Sequence, residues 1–221
     1  MRAGLFGGTF NPIHKGHLMA AEQVLDRFRL DCLFIIPSRV PPHKFPAYLA
    51  PAEERMRMIQ LSLPADARYC LSDVELQRSG PSFTIDTVDH FSNRIIPGAA
   101  LFLITGMDAF LEIHTWKSHP RLLEVIQPVV VTRPVDDRVP ADSDADRLDN
   151  YIRSRLSEAY RYVEEQTCWL HPGGNCIHLL PTRPVAISSS QVRQRIRAGK
   201  SIGNLVPSAV KAYIERKGLY R

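Results

Sequence analysis

A chain of 221 residues with 44% hydrophobic and 23% charged side chains has an ordinary globular composition, and it is long enough to bury one substantial core; a single domain is therefore expected over residues 1–221. Its 28 basic and 23 acidic side chains leave a net charge of +5, which favours anionic ligands. The basic residues are spread along the chain instead of clustering with aromatics, which weighs polyphosphates above nucleic acid. No apolar run reaches the length of a membrane span, no signal-peptide pattern opens the chain, and Cys32, Cys70, Cys168 and Cys176 form no secreted framework, so the expected location is the cytoplasm.

The first β-rich apolar run, Ala3–Phe6, enters a glycine turn, and a helical apolar pattern follows over Leu18–Phe28. Gly7 and Gly8 lack a Cβ and let the backbone approach a phosphate closely. A helix starting near Gly16 points its unpaired N–H groups and positive dipole end into the same space, between His14 and His17. Strand, turn and a helix start carrying two imidazoles together make a site for handling a polyphosphate.

Further along, β-rich runs fall at Leu33–Ile36, Leu101–Thr105, Val129–Thr132 and Ile177–Leu180, with helical patterns at Ala52–Leu63, Ile85–Asn93 and Leu122–Ile126. That alternation predicts an α/β fold with a parallel sheet covered on both faces, whose ligands sit beyond the carboxyl ends of the strands. Residues from about 135 to 176 read as an insertion between the fifth and sixth strands: Asp136, Asp137 and Ala141–Asp149 are acidic and polar, and Tyr151–Glu165 is expected to be a helix. This insertion is expected to be mostly solvated and is a candidate subunit contact, so a homo-oligomer stays open. Cys168, His171, Cys176 and His178 lie close in sequence, as a zinc site or as a buried thiol pair; the spacing is not that of a standard zinc knuckle.

A second helix start lies at Ile187-Ser188-Ser189-Ser190-Gln191-Val192-Arg193, where a serine cap precedes Val192 and Ile196 and Gly199 marks the stop. Its hydroxyls, amides and the Arg193 fork suit phosphate oxygens, although read alone it is also an ordinary capped helix with a basic wet face. A last amphipathic helix runs from Pro207 to Lys217 and stops at Gly218.

The stretch Gly7–Leu18, with Ile13-His14-Lys15-Gly16-His17 inside it, resembles the T/H-x-G-H signature of the nucleotidyltransferase superfamily, and Ile187–Arg193 resembles that superfamily's I-S-S-T/S-x-x-R/K motif. Other segments are similar to those of one member family, the bacterial nicotinate-nucleotide adenylyltransferases. They are Val40-Pro41-Pro42-His43-Lys44, Pro81-Ser82-Phe83-Thr84-Ile85-Asp86-Thr87, Ile104-Thr105-Gly106-Met107-Asp108, Trp116-Lys117, Thr132-Arg133-Pro134 and Gly218-Leu219-Tyr220. A further Gly common after the Arg-Pro of that family is Val135 here, and the likeness lapses from about Val135 to Cys176.

The resemblance implies a Rossmann-like doubly wound sheet and an adenylyl transfer that joins ATP to nicotinate mononucleotide, releasing pyrophosphate, in NAD biosynthesis. It implies His14, His17 and Arg193 as the catalytic residues. Gly7, Gly8, Thr9, Phe10, Gly16, Gly106, Asp108, Arg133, Ile187, Ser189 and Ser190 fall to the ATP side, and the Thr9 and Phe10 amides also serve the acceptor phosphate. Lys44, Phe83, Thr84 and Trp116 fall to the pyridine nucleotide, whose carboxylate the amides of Phe83 and Thr84 would read. Trp116 is a stacking face or a core residue, Lys44 a carboxylate partner or a solvated lysine, and Asp108 a ribose acceptor, a helix cap or both. Mg²⁺ is implied, held mainly by the ATP phosphates, with no dedicated protein metal site. Phosphopantetheine adenylyltransferases share both phosphate motifs but have shorter chains and lack the Trp116 and Phe83-Thr84 features. An enzyme for the amide nucleotide and a nucleotide-binding regulator without chemistry are the other readings.

Overall fold

The five apolar runs become five strands because each is buried on both faces of one sheet. The computed structural model describes residues 1–39, 49–132, 142–182 and 187–221. In chain order the elements are β1 (Arg2–Gly8), α1 (Lys15–Arg27), β2 (Cys32–Pro37), α2 (Ala52–Ser62), β3 (Tyr69–Leu71), α3 (Thr84–His90), β4 (Ala100–Gly106), α4 (Met107–Phe110), α5 (His119–Val125), β5 (Gln127–Thr132), α6 (Asp142–Tyr151), β6 (Arg161–Val163), β7 (Cys168–Leu170), β8 (Cys176–Pro181), α7 (Ser189–Arg197) and α8 (Ser208–Lys217). A single wide helical turn, Phe91–Ile95, prolongs α3, and another, Ile152–Leu156, prolongs α6; a 3-10 turn covers Ile113–Thr115.

The sheet order is β3-β2-β1-β4-β5-β8-β7-β6. The first six are parallel, and β7 and β6 add to β8 as antiparallel strands. The strand order therefore runs outward in both directions from β1 and β4, which pair in register from Arg2↔Ala100 to Phe6↔Ile104. Strands alternate their side chains between two cores. Ala3, Leu5, Leu101, Leu103 and Val130 face one core with Val88, Leu122 and Leu148 from α3, α5 and α6. Phe6, Leu33, Ile35, Phe102, Ile104 and Val129 face the other, with Val24, Met58, Val192 and Ile214 from α1, α2, α7 and α8.

The stretch from 135 to 176 departs from expectation. Asp142 to Leu156 is helical, and the expected helix over Tyr151–Glu165 gives way to β6. Most of its described residues are exposed or half-buried, as expected, but Leu148, Ile152, Tyr160, Cys168 and Trp169 are buried. Asp146 lies on the exposed side of an amphipathic helix whose Leu148 side closes the core. Tyr151 accepts from the His114 amide through its hydroxyl (3.2 Å) and bonds the His114 ring (2.8 Å), while Trp169 Nε1 donates to Asp149 (2.7 Å).

The Cys/His group does not converge on a metal. Among the described residues no three His, Cys, Asp or Glu side chains stand close enough to hold one. His171 accepts from the Gly173 amide and packs on Tyr160, and His178 bonds Gln127. Burial, with the half-buried Cys176 beside it, pushes the Cys168 thiol up to about 12, which is the behaviour of an unreactive thiol.

Candidate active site

Where strand order reverses, the loops leaving β1 and β4 part and open a crevice. A cleft of about 710 Å³ fills it. Gly7, Gly8 and Thr9 line it from the end of β1, and Gly106 and Asp108 from the end of β4. Phe83, Thr84 and Trp116 close the side formed by the face covered by α3. Eight residues singled out in the sequence thus meet in one cavity. Lys44 and Arg133 lie outside the described residues.

His14 is the cap residue of α1, with extended backbone (φ −145°, ψ 168°). Its Nδ1 accepts from the His17 amide at 3.3 Å, and the His17 Nδ1 accepts from the His14 amide at 3.3 Å. The two rings stack with centroids 3.6 Å apart. Each Nδ1 is consumed as an acceptor, so the neutral ring carries its proton on Nε2. Two histidines three apart therefore form a reciprocal capping box, and both become hydrogen-bond donors at the helix start.

Gly16 lies tight against this stack: a Cβ there would approach the His14 Nδ1 to 3.2 Å and press on the ring. At Gly8 a Cβ would meet the Phe10 ring at 3.1 Å. Phe10 itself is buried, holds a left-handed φ of 46°, and sets its ring edge-on to Phe6 and His17. Such a φ is costly for a bulky residue and persists only where packing fixes it. The turn after β1 is thus rigid, and Phe10 is a buttress on its far side.

The second motif docks against the same turn. Ser188 caps α7, its Oγ accepting from the Gln191 amide (3.1 Å). Ser189 donates to the Pro12 carbonyl (2.8 Å), and Arg193 donates to the Asn11 carbonyl (2.7 Å) and to Ser190 Oγ (3.2 Å). Ile187 is buried in the core beneath. Burial pulls the Arg193 pKa down from its ordinary value. The two motifs, some 175 residues apart in sequence, become one surface through these bonds.

Phe10, His14, Gly16, His17, Ile187, Ser189, Ser190 and Arg193 are not among the residues lining the cleft. Within the cleft wall, Phe83 caps α3 and Thr84 is its first residue, so the amides there have no intrahelical partner. The Lys117 ammonium lies over the Phe83 ring (4.8 Å) and pairs with Asp86 (3.0 Å). Trp116 is half-buried, packed on the core with part of its surface to the cleft. Asp108 is exposed in the first turn of α4; the cap of that turn is Gly106, so Asp108 does not serve as one.

Several lining residues carry no sequence motif. Glu75 is buried, accepts from the Thr87 hydroxyl (2.8 Å), and has its pKa raised by burial against hydrogen bonds from Thr87 and Ser82 and the charge of Arg78. Asp144 and Arg147, one turn apart on α6, bring the inserted stretch into the cleft. Arg55 is buried under the turn after β1. It shares the apolar stripe of α2 with Met58, Ile59 and Ser62, and a charge on such a stripe is the signal that could have found it.

The Cytidylyltransferase-like family profile matches residues 5–195. A probable nicotinate-nucleotide adenylyltransferase of Desulfatibacillum aliphaticivorans is 38% identical over the full length of both chains, and one of Thermus thermophilus is 40% identical, again over both full lengths. Among solved structures, a Plasmodium falciparum nicotinic acid mononucleotide adenylyltransferase complexed with NaAD has the same fold (TM-score 0.71, 16% identity, 99% of this chain and 97% of that one).

Proposed function

The chain belongs to the nicotinate-nucleotide adenylyltransferase family, and from that premise we propose how its cleft carries out the reaction. The enzyme transfers the adenylyl group of ATP to nicotinate mononucleotide, giving nicotinate adenine dinucleotide and pyrophosphate. The acceptor's 5′-phosphate attacks the α-phosphorus and is already anionic at neutral pH, so no strong base is needed. The protein's work is to align the reactants and to neutralise charge building on the α-phosphoryl oxygens and the leaving group.

His17 and His14 donate from Nε2 to the α- and β-phosphate oxygens. The observation that carries this assignment is the reciprocal cap, which occupies both Nδ1 atoms and makes donors of both rings. Protonating either ring at Nδ1 would break a cap bond. Ser189, Ser190 and Arg193 take the departing pyrophosphate, while the Thr9 and Phe10 amides hold the acceptor phosphate. Gly7, Gly8, Gly16 and Ile187 shape the wall that the phosphates approach. On the adenosine side Gly106 leaves room and Asp108 accepts from a ribose hydroxyl. Trp116 stacks on the pyridine ring, whose carboxylate meets the amides of Phe83 and Thr84. Lys44 and Arg133 keep the pyridine-side and ATP-side roles their motifs imply. Mg²⁺ held mainly by the ATP phosphates would supply further charge neutralisation.

We read the whole chain as one nucleotidyltransferase domain with residues 135–176 as an elaboration, supported by the continuity of the sheet through β8 into β7 and β6. No helix among the described residues is long and apolar enough to cross a membrane, and we assign the reaction to the cytoplasm. The experiment for the histidines is His17→Ala. Turnover falls about a hundredfold, roughly 2.7 kcal/mol of transition-state stabilisation, while ATP affinity changes little. Unchanged turnover would remove His17 from the chemistry.

A further inference from the structure

Arg55 is among the largest fully buried side chains, and among the described residues no carboxylate pairs with it. Its donors go to backbone carbonyls instead. Nε donates to Ala50 (3.1 Å), Nη1 to Thr9 (2.8 Å) and Ser38 (2.8 Å), and Nη2 to Arg39 (3.5 Å). Burying a guanidinium without a counter-ion is costly unless its donors are satisfied, and burial pulls its pKa down. A planar fork that reaches the loops after both β1 and β2 is the geometry this position uses.

Two of these carbonyls belong to peptides with a second use. A trans peptide points its N–H opposite its C=O. Turning the Thr9 carbonyl onto Arg55 therefore turns the Phe10 N–H away from Arg55. Turning the Ser38 carbonyl onto Arg55 likewise aims the Arg39 N–H outward, and that N–H donates to Ser82 Oγ (3.2 Å). Ser82 also bonds the buried Glu75 carboxyl and immediately precedes Phe83 and Thr84. One guanidinium thus grips the peptide planes of two loops, at Thr9 and Ser38, that line the cleft.

We propose that Arg55 is a positioning residue that sets, through the Thr9–Phe10 and Ser38–Arg39 peptides, the backbone donors for the two ends of the acceptor nucleotide. The proposal rests on the reading that the Thr9 and Phe10 amides hold the acceptor phosphate and that Phe83 and Thr84 hold its carboxylate. Arg55 touches neither substrate; it acts by orienting groups that do.

The test is steady-state kinetics of full-length Arg55→Lys and Arg55→Ala enzymes, varying each substrate in turn, beside their thermal melts. Lysine keeps the charge but cannot span carbonyls arranged around a fork. The KM for nicotinate mononucleotide rises roughly tenfold to a hundredfold, the scale of a small misplacement of binding groups, and the KM for ATP stays at its original value. Guanidinium added at millimolar concentration to the alanine enzyme lowers the acceptor KM again; should that variant fail to fold, the lysine enzyme decides alone. A rise in the ATP KM instead would keep Arg55 as a positioning residue and overturn the assignment of the Thr9 and Phe10 amides to the acceptor. Unchanged constants for both substrates, with only a lower melting temperature, would overturn the proposal and leave Arg55 a structural residue.

Discussion

His14 has two separable jobs, and a pair of substitutions separates them. As the cap of α1 it accepts the His17 amide, and as a ring with its proton on Nε2 it donates to phosphate. His14→Ala loses both. The lost cap costs about 1 kcal/mol, which in a protein of this size lowers the melting temperature by roughly 2–4 °C. The lost donor to a charge-building oxygen costs on the order of a hundredfold to a thousandfold in kcat, about 2.7–4 kcal/mol. His14→Asn supplies a good cap, because its carboxamide oxygen reaches the same amide, but it has no Nε2–H. The asparagine enzyme therefore regains most of the lost melting temperature and little of the lost turnover. Differential scanning calorimetry and pyrophosphate release on the same preparations read the two effects. Recovery of turnover along with stability in His14→Asn would mean the ring serves only as a cap. A wild-type melting temperature in His14→Ala would mean the cap contributes nothing.

Trp116→Ala raises the KM for nicotinate mononucleotide by roughly fivefold, the equivalent of about 1 kcal/mol of ring stacking, and leaves that for ATP unchanged; equal weakening of both substrates would make Trp116 a core residue alone. The His178 ring, half-buried against Phe28 and Phe102, has its pKa lowered from 6.5 to about 4, first by desolvation and then by Arg27 and Arg2. The unfolded chain binds this proton more readily, so the stabilisation is full above pH 6.5 and is lost as pH falls towards 4, by on the order of 3 kcal/mol in total. Urea melts of the parent and His178→Gln proteins across that window check it, and an equal slope in both would refute the assignment.

The fold was legible where burial is two-sided. The runs that became β1, β2, β4, β5 and β8 are continuous apolar segments because helices cover both faces. β3, β6 and β7 are only three residues each, too short for a period to appear. The aspartates of α6 hid the placement of Leu148 and Ile152 in the core, since a stretch rich in aspartate reads as solvated. At the site, the motifs gave the phosphate turn and its two histidines, but not the cap they build, because histidine is not an ordinary capping residue. Glu75, Arg147 and Arg55 were invisible for another reason. Each matters through what tertiary folding brings to it; for Arg55 the chain read in order offers only a charge on an apolar stripe, and for Glu75 and Arg147 no comparable signal.

The most direct measurement is pyrophosphate release from ATP and Mg²⁺ by the purified protein with nicotinate mononucleotide, nicotinamide mononucleotide or phosphopantetheine as acceptor. Rapid turnover is expected with nicotinate mononucleotide and little with the other two. Preference for the amide nucleotide would contradict the carboxylate-reading role of Phe83 and Thr84, and silence with all three acceptors in a protein that still binds ATP would contradict the catalytic reading itself.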